Sequence, residues 1–186
     1  MAVAFSASGT PTAGGVQTTY SLVHDAFLEG QLADSRPKVI DSYVNETSGV
    51  VAFGNLMVWN SGSTVADSAR TISGVSGTVV GVNILTYVDE TARDANNRPG
   101  AKDRQLMNVL RRGACVVYVH GAVDPSTPVR VIHAASGVQY AGQFSASAVS
   151  GRTALLSNAA YLSRTTGSGL AVVDLNGPNF TLTANA

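Results

Sequence analysis

The stretch that decides the fold runs Leu106-Met-Asn-Val-Leu-Arg-Arg-Gly-Ala-Cys-Val-Val-Tyr-Val-His120. Leu106–Leu110 and Cys115–His120 are short runs of apolar and β-branched residues. Arg111-Arg112-Gly113 lies between them and has the polar, glycine-containing composition of a turn. The pattern therefore predicts two strands joined by a strand-end turn, and short strands separated by turns are typical of a β-sandwich or barrel.

The same spacing continues on both sides of this stretch. Apolar and polar residues alternate most clearly in Thr78–Val88 and Val129–His133, so one face of each strand can be buried. A sheet with one apolar face needs a second layer, which predicts an all-β sandwich or barrel. The remaining predicted strands are Lys38–Val44, Val50–Trp59, Val138–Phe144, Ala154–Leu156, Gly169–Leu175 and Phe180–Thr183.

Composition excludes several classes of function. Charged residues make up 13% of the 186 residues, and twelve basic side chains balance twelve acidic ones, so the chain has no net field to attract nucleic acid. Cys115 is the only cysteine, so no intrachain disulfide and no cysteine-based zinc site is expected. The sequence shows neither a signal-peptide pattern nor a run of about 20 apolar residues, which predicts a soluble, unprocessed protein without a membrane partner.

The N-terminal residues differ in composition from the rest. Residues 1–15 are mostly Ala, Ser, Gly, Thr and Pro, too poor in large apolar groups to order alone, so residues 1–34 are predicted to form an arm and 35–186 the β domain. The larger apolar residues of the arm are candidate docking anchors, and they are Tyr20, Val23, Phe27, Leu28 and Leu32. Their spacing fits a short helix, an extended strap or an element of the barrel's own core.

A charge-dense segment interrupts the strand pattern between Asp89 and Arg104. Eight of the chain's 24 charged residues fall in these sixteen positions, together with Asn96-Asn97 and Pro99-Gly100. This composition predicts a long polar hairpin loop. It serves either as a solvated loop tip or as a docking loop with balanced charge.

Motifs for catalysis or metal binding are missing from the sequence. Phosphate-binding, dinucleotide-binding, zinc-protease and nucleophile-elbow patterns do not occur, so no enzyme activity and no cofactor or metal are expected. His24, His120 and His133 lack the spacing of metal ligands, and Ser21, His24 and Asp25 lack the turn that would expose a nucleophile. The aromatic residues are expected in the core or an interface, although a sugar-stacking platform stays an alternative. The candidates for such a platform are Tyr43, Trp59, Tyr87, Tyr118, Tyr140 and Tyr161.

The order of several local patterns resembles the head-cement, or capsid-decoration, proteins of tailed bacteriophages. The most specific are Val109-Leu-Arg-Arg-Gly113 and Gly169-Leu-Ala-Val-Val-Asp-Leu175. The supporting patterns, in chain order, are Leu32-Ala-Asp34, Pro37-Lys-Val-Ile-Asp-Ser-Tyr-Val-Asn-Glu46, Val51-Ala-Phe-Gly54, Gly81-Val82, Pro128-Val-Arg-Val131 and Gly142-Gln-Phe144. The arm before Tyr20, the charged segment after Asp89 and Asp124-Pro-Ser-Thr127 depart from the family pattern.

The resemblance implies an all-β structural virion protein, built as a small β-barrel or jelly-roll-like domain, that carries out no reaction. Such proteins assemble as homotrimers on the outside of an icosahedral head and clamp neighbouring subunits of the major capsid protein, after synthesis in the bacterial cytoplasm. Arg111 or Arg112 would then bridge to a carboxylate of the capsid or of a sister subunit. The alternative is that both arginines only solvate the turn. The alternative functions are a carbohydrate-binding β module or a host-adsorption spike domain on a virion.

Overall fold

All regular structure in the described residues, 28–86 and 92–185 of a computed structural model, is β-strand. The strands of the first half are β1 (Val39–Asn45), β2 (Val51–Ala52), β3 (Leu56–Trp59), β4 (Ser68–Thr71), β5 (Val79–Asn83), β6 (Gly100–Ala101) and β7 (Leu106–His120). Those of the second half are β8 (Arg130–Ile132), β9 (Phe144–Ser145), β10 (Thr153–Leu156), β11 (Ala159–Tyr161), β12 (Gly169–Asn176) and β13 (Leu182–Ala184).

Strand β7 is one continuous strand of 15 residues, so the predicted turn at Arg111-Arg112-Gly113 is wrong. Gly113 has a φ of +123°, and the register to β1 shifts between Val39 and Ile40. An extra residue in one strand bends that strand without ending it, and glycine accepts the backbone angles that such a bulge requires. The turn-like composition therefore marks a bulge inside a strand.

The first half of β7 closes a barrel. The strand order β1-β4-β3-β5-β7 returns to β1 because β7 also pairs with β1, and Leu110 of β7 lies opposite both Ile40 and Val82. This ring of five strands confirms the predicted all-β fold and its barrel. Its core contains Val51, Met57, Ala69, Val80, Ala101, Met107 and Val109, packed with the half-buried Tyr43.

The second half of β7 organises the rest of the sheet. It pairs with β12 from Arg112 to Val119, and its last two residues pair in parallel with β9, which continues to β8, β10 and β13. The larger apolar core lies here and includes Cys115, Phe144 and Tyr161. Both edges of β7 are thus occupied, for Cys115 pairs with Leu32 as well as with Val173.

The predicted strands differ from the observed ones mainly where strands are very short. Val138–Phe144 is mostly a turn, in which Ser136 pairs with Gln139 around Gly137 and Val138 is 75% exposed. Strands β4, β6 and β11 have two to four residues each, too few to produce an alternation that a sequence pattern can reveal. The end of the predicted strand Thr78–Val88 falls outside the described residues.

We expect Gly81→Ala to destabilise the fold severely. Gly81 has a φ of +142°, and a Cβ at this position would lie 2.1 Å from the Leu110 carbonyl oxygen of β7, a backbone atom that cannot move aside. The variant should lose more than about 3 kcal/mol of unfolding free energy in urea titrations. The matched control is Gly167→Ala, which meets nothing within 4 Å and should change stability by less than about 0.5 kcal/mol. Equal unfolding midpoints for the two variants would contradict the closeness of β5 to β7.

Candidate docking surface

The side chains that the sequence analysis considered for catalysis or metal binding lie in different parts of the chain. Ser21, His24 and Asp25 lie outside the described residues. The His120 Nε2 atom is 2.8 Å from the Gln143 Oε1 atom, and no group of three His, Cys, Asp or Glu in ranges 28–86 and 92–185 is arranged to hold a metal ion. Burial raises the pKa of Cys115 to about 12, so its thiol stays protonated and enclosed in the folded chain.

One outward face of the β1–β7 pair is uncharged and open to solvent. Val44 lies opposite Leu106 and Ser42 opposite Asn108, while Ile40 continues the same side of β1. Leu106 is 62% exposed and Ile40 37%. We call these five residues the β1–β7 face. Apolar and neutral polar groups gathered on a solvent-exposed surface are suited to burial against another protein.

The two candidate arginines have different surroundings. Arg111 Nη1 is 2.6 Å from Asp41 Oδ2 of β1, and both side chains are about one-third exposed. Arg112 is exposed, and its guanidinium pairs with no carboxylate among the described residues. Arg111 is therefore already engaged inside the chain, whereas Arg112 is open to an external carboxylate.

The candidate anchors of the arm divide at Leu28. Tyr20, Val23 and Phe27 lie outside the described residues, and Leu28 is 60% exposed. Leu32 pairs with Cys115 and packs against the larger core. The structure thus places Leu32 in the chain's own fold, where the interpretation as a core element describes it best.

Backbone hydrogen bonds fix the segment around Leu32 to β7. The amides of Gly30 and Ala33 donate to the carbonyls of Val116 and Ala114, and the amide of Val116 donates to the Gln31 carbonyl, at 2.8–2.9 Å. These bonds fill the edge of β7 between its contacts with β1 and β9. Residues 30–33 are therefore part of the sheet, and a free arm can include only residues that precede them.

A charged cluster that the sequence did not reveal secures this segment to the loop after residue 91. Arg98 Nη2 is 2.7 Å from Asp94 Oδ2, and Arg98 Nη1 is 3.8 Å from Glu29 Oε2. The guanidinium also lies 5.4 Å from the ring centre of Tyr140. The described part of the predicted hairpin loop, residues 92–104, thus packs on the barrel around a largely buried arginine. The contacts of Arg98 with Glu29 and Tyr140 join residues far apart in sequence and leave no local signal.

A buried asparagine holds the turn that follows β1. Asn45 is fully buried, and its Nδ2 donates to the carbonyls of Gly49, Ala101 and Lys102 at 2.9–3.0 Å. Its Oδ1 accepts the Thr47 amide at 3.0 Å. Every polar atom of the side chain is therefore satisfied, which is the condition for burying an amide without cost to stability. The end of β1 and the loop before β7 are joined at this point.

Comparisons with known proteins give one family and one fold. A family model described as structural cement protein (E217 gp24/Pam3 gp6) matches residues 16–176. A chain from the solved structure "The capsid of Myoviridae Phage XM1" superposes with a TM-score of 0.59 at 16% identity, over 86% of this chain and 98% of that one. No curated protein matches the sequence. The described residues contain no helix long and apolar enough to cross a membrane.

We expect Glu29→Gln to raise stability at neutral pH. Burial raises the pKa of Glu29, more than Arg98 lowers it, so the folded state favours the protonated carboxyl. A carboxyl whose pKa is higher in the folded state than in the unfolded state adds to stability at pH values below the unfolded-state pKa. This contribution is lost as the pH rises through the folded-state pKa. The variant should therefore unfold at a higher temperature than the parent at pH 7, and the difference should vanish near pH 4.

Glu46→Gln is the matched control with the opposite sign. Hydrogen bonds from Ser63 first, and then Asn60, lower the pKa of Glu46, so its stabilising effect is present at pH 7 and is lost as pH falls. This variant should unfold at a lower temperature than the parent at pH 7. Equal responses of the two variants across pH 4–7 would contradict the assigned environments.

Proposed function

The chain belongs to the structural cement protein family of phages, and from this membership we propose that it binds the outer surface of an icosahedral phage head as a homotrimer and stabilises contacts between major-capsid subunits. The observation that carries the proposal is the match over residues 16–176, which spans the barrel, the second half of the sheet and part of the arm. In this role the chain is a structural virion protein that catalyses no reaction.

The surface chemistry supports a mechanical role. The β1–β7 face is uncharged, so a contact formed there depends on apolar burial and is little weakened by salt, whereas exposed ion pairs are screened within about 10 Å at 0.1 M salt. A trimer presents three such faces at once. The second and third contacts are then intramolecular, so each can be weak while the assembly binds firmly.

The arm supplies the second proposed contact. Tyr20, Val23 and Phe27 fall inside the range matched by the family model, while residues 1–15 fall outside it. Exposed Leu28 continues this set towards the barrel. Each such side chain contributes about 1.5–3 kcal/mol when fully buried, so several together offset the entropy of ordering the arm on a capsid.

We expect the isolated protein to be a closed homotrimer. Light scattering coupled to size exclusion should give a mass of about 57 kDa, three times the 19.1 kDa of one chain. The mass should stay constant when the protein is diluted from tens of micromolar to about one micromolar. A monomer throughout this range contradicts the proposal.

Deleting residues 1–27 should abolish head attachment and leave a folded trimer. The deletion must stop before Leu28, because residues 30–33 hydrogen-bond to β7 and their loss would expose its edge. Deletion of residues 1–15 alone is the matched control and should preserve attachment. Sedimentation with undecorated heads measures both variants. A folded 28–186 variant that pellets with heads as the full chain does would show that the arm is not a docking strap.

Arg112→Ala should weaken attachment at least threefold without changing the unfolding temperature, since Arg112 pairs with no described carboxylate and is exposed. Arg111→Ala should instead leave attachment intact and cost at most about 1 kcal/mol, the range of an exposed ion pair such as the one with Asp41. Competition of each variant with the parent for heads separates the two roles. Unchanged attachment of Arg112→Ala contradicts the bridging role.

A further inference from the structure

The sheet formed by β7, β12 and β11 has a second apolar face, on the side away from the larger core. Strand pairing places Tyr118 of β7 opposite Leu170 of β12, and Val172 follows on the same side. The Leu162 amide, one residue after β11, donates to the Val172 carbonyl at 2.8 Å. Alternation puts Ala160 and Leu162 on this outer side as well, because Tyr161 between them is buried in the larger core. We call Tyr118, Ala160, Leu162, Leu170 and Val172 the β11–β12 face.

The β11–β12 face is open to solvent and carries no charge. Leu162 is 46% exposed, Ala160 is exposed, and the other three members are partly exposed. Asp174, which borders the face opposite Ala160, has its Oδ2 atom 3.6 Å from Arg36 Nη1, so its charge is balanced within the chain. Apolar groups gathered in this way on a surface mark a site of contact with another protein.

The sequence of these strands indicates that both faces of the sheet are covered in the assembled protein. Residues 114–119 and 170–173 are continuous apolar runs. Such runs are typical of strands that are buried on both faces, whereas a sheet with one solvated face alternates apolar and polar residues. The inner face packs in the larger core, and Val116 on the outer face is buried as well. The remaining outer residues therefore lack the cover that the pattern predicts.

We propose that copies of this chain meet through the β11–β12 face around the three-fold axis of the homotrimer, an inference that rests on the trimer of the proposed function. Around a rotation axis identical residues approach one another, so a charged group there would face its own kind. An uncharged face avoids this repulsion. Interfaces between identical subunits are also more apolar than those of transient complexes, and aromatic residues such as Tyr118 are enriched in them.

The position of this face leaves the proposed capsid contact accessible. Leu106 of the β1–β7 face and Tyr118 of the β11–β12 face lie in the first and second halves of β7. The strand between them has a contour length of about 40 Å at about 3.3 Å per residue. A trimer joined through the second half of β7 can therefore present three β1–β7 faces to a capsid.

Leu162→Glu in the full chain tests the interface, because it places three like charges where the copies meet. Light scattering coupled to size exclusion at tens of micromolar should give a mass near the 19.1 kDa of one chain, and association should require at least about tenfold more protein than in the parent. The matched control is Leu155→Glu. Leu155 is 37% exposed on β10 and lies opposite Arg130 and Thr183, outside the face, so this variant should stay trimeric. Circular dichroism checks that both variants are folded.

A pair of opposite charges separates a true contact from a general loss of association. Leu162→Lys alone should also give monomers, since like charges again meet around the axis. An equal mixture of Leu162→Lys and Leu162→Glu should form assemblies larger than one chain, because opposite charges then come together. A variant that fails to associate for another reason is not rescued by mixing.

The outcomes distinguish this inference from the proposed function. A monomeric parent chain contradicts the homotrimer itself, and the inference fails with it. A trimeric parent with a trimeric Leu162→Glu variant overturns only the assignment of this face, and a loss of head attachment in that trimeric variant would show that the capsid covers the face instead. Monomeric variants that do not associate when mixed also overturn the assignment.

Discussion

The double pairing of β7 is the constraint on which the rest of the structure depends. A strand has two edges, and β7 uses both over most of its 15 residues: β1 and β5 at Leu110, residue 32 and β12 at Cys115, and β9 and β12 at Val119. The backbone groups that are paired along the buried part of β7 thereby avoid the cost of about 1–3 kcal/mol that an unpaired amide or carbonyl would carry there. The barrel and the second half of the sheet cannot separate without breaking this strand.

This arrangement gives the proposed arm a firm point of attachment. Residues 30–33 are bound to β7 through backbone hydrogen bonds, and Glu29 lies beside the guanidinium of Arg98. A force applied to residues before Leu28 is therefore transmitted directly to the central strand β7 rather than to a surface loop. For a protein proposed to stabilise contacts between capsid subunits, a tether that ends in the main sheet resists force better than one that ends at its periphery.

The sequence predicted the elements whose signal is local. Val39–Asn45 and Gly169–Asn176 alternate or carry β-branched residues over seven or eight positions, and both strands were found within one residue. The features that the sequence did not predict have a misleading local signal or none. A glycine bulge at Gly113 has the composition of a turn, while the Arg98–Glu29 ion pair and the Ala101 and Lys102 carbonyl partners of Asn45 join residues that are distant in sequence. The same holds for the candidate anchors: Leu32 has the apolarity of an anchor, but only the structure shows that it pairs with Cys115 and packs against the core.

The closed ring also explains how one small domain can hold two surfaces of different chemistry. Five strands about 4.8 Å apart form a ring in which every outward face looks in a different direction. The β1–β7 face is neutral and carries Leu106 and Ile40, while β3, two strands away from both β1 and β7 in the ring, carries the half-exposed Trp59. In a flat sheet the two groups would share one plane, and a partner covering one would crowd the other. Closure places β3 on the far side of the ring, so a shell in contact with the β1–β7 face does not cover the exposed part of Trp59.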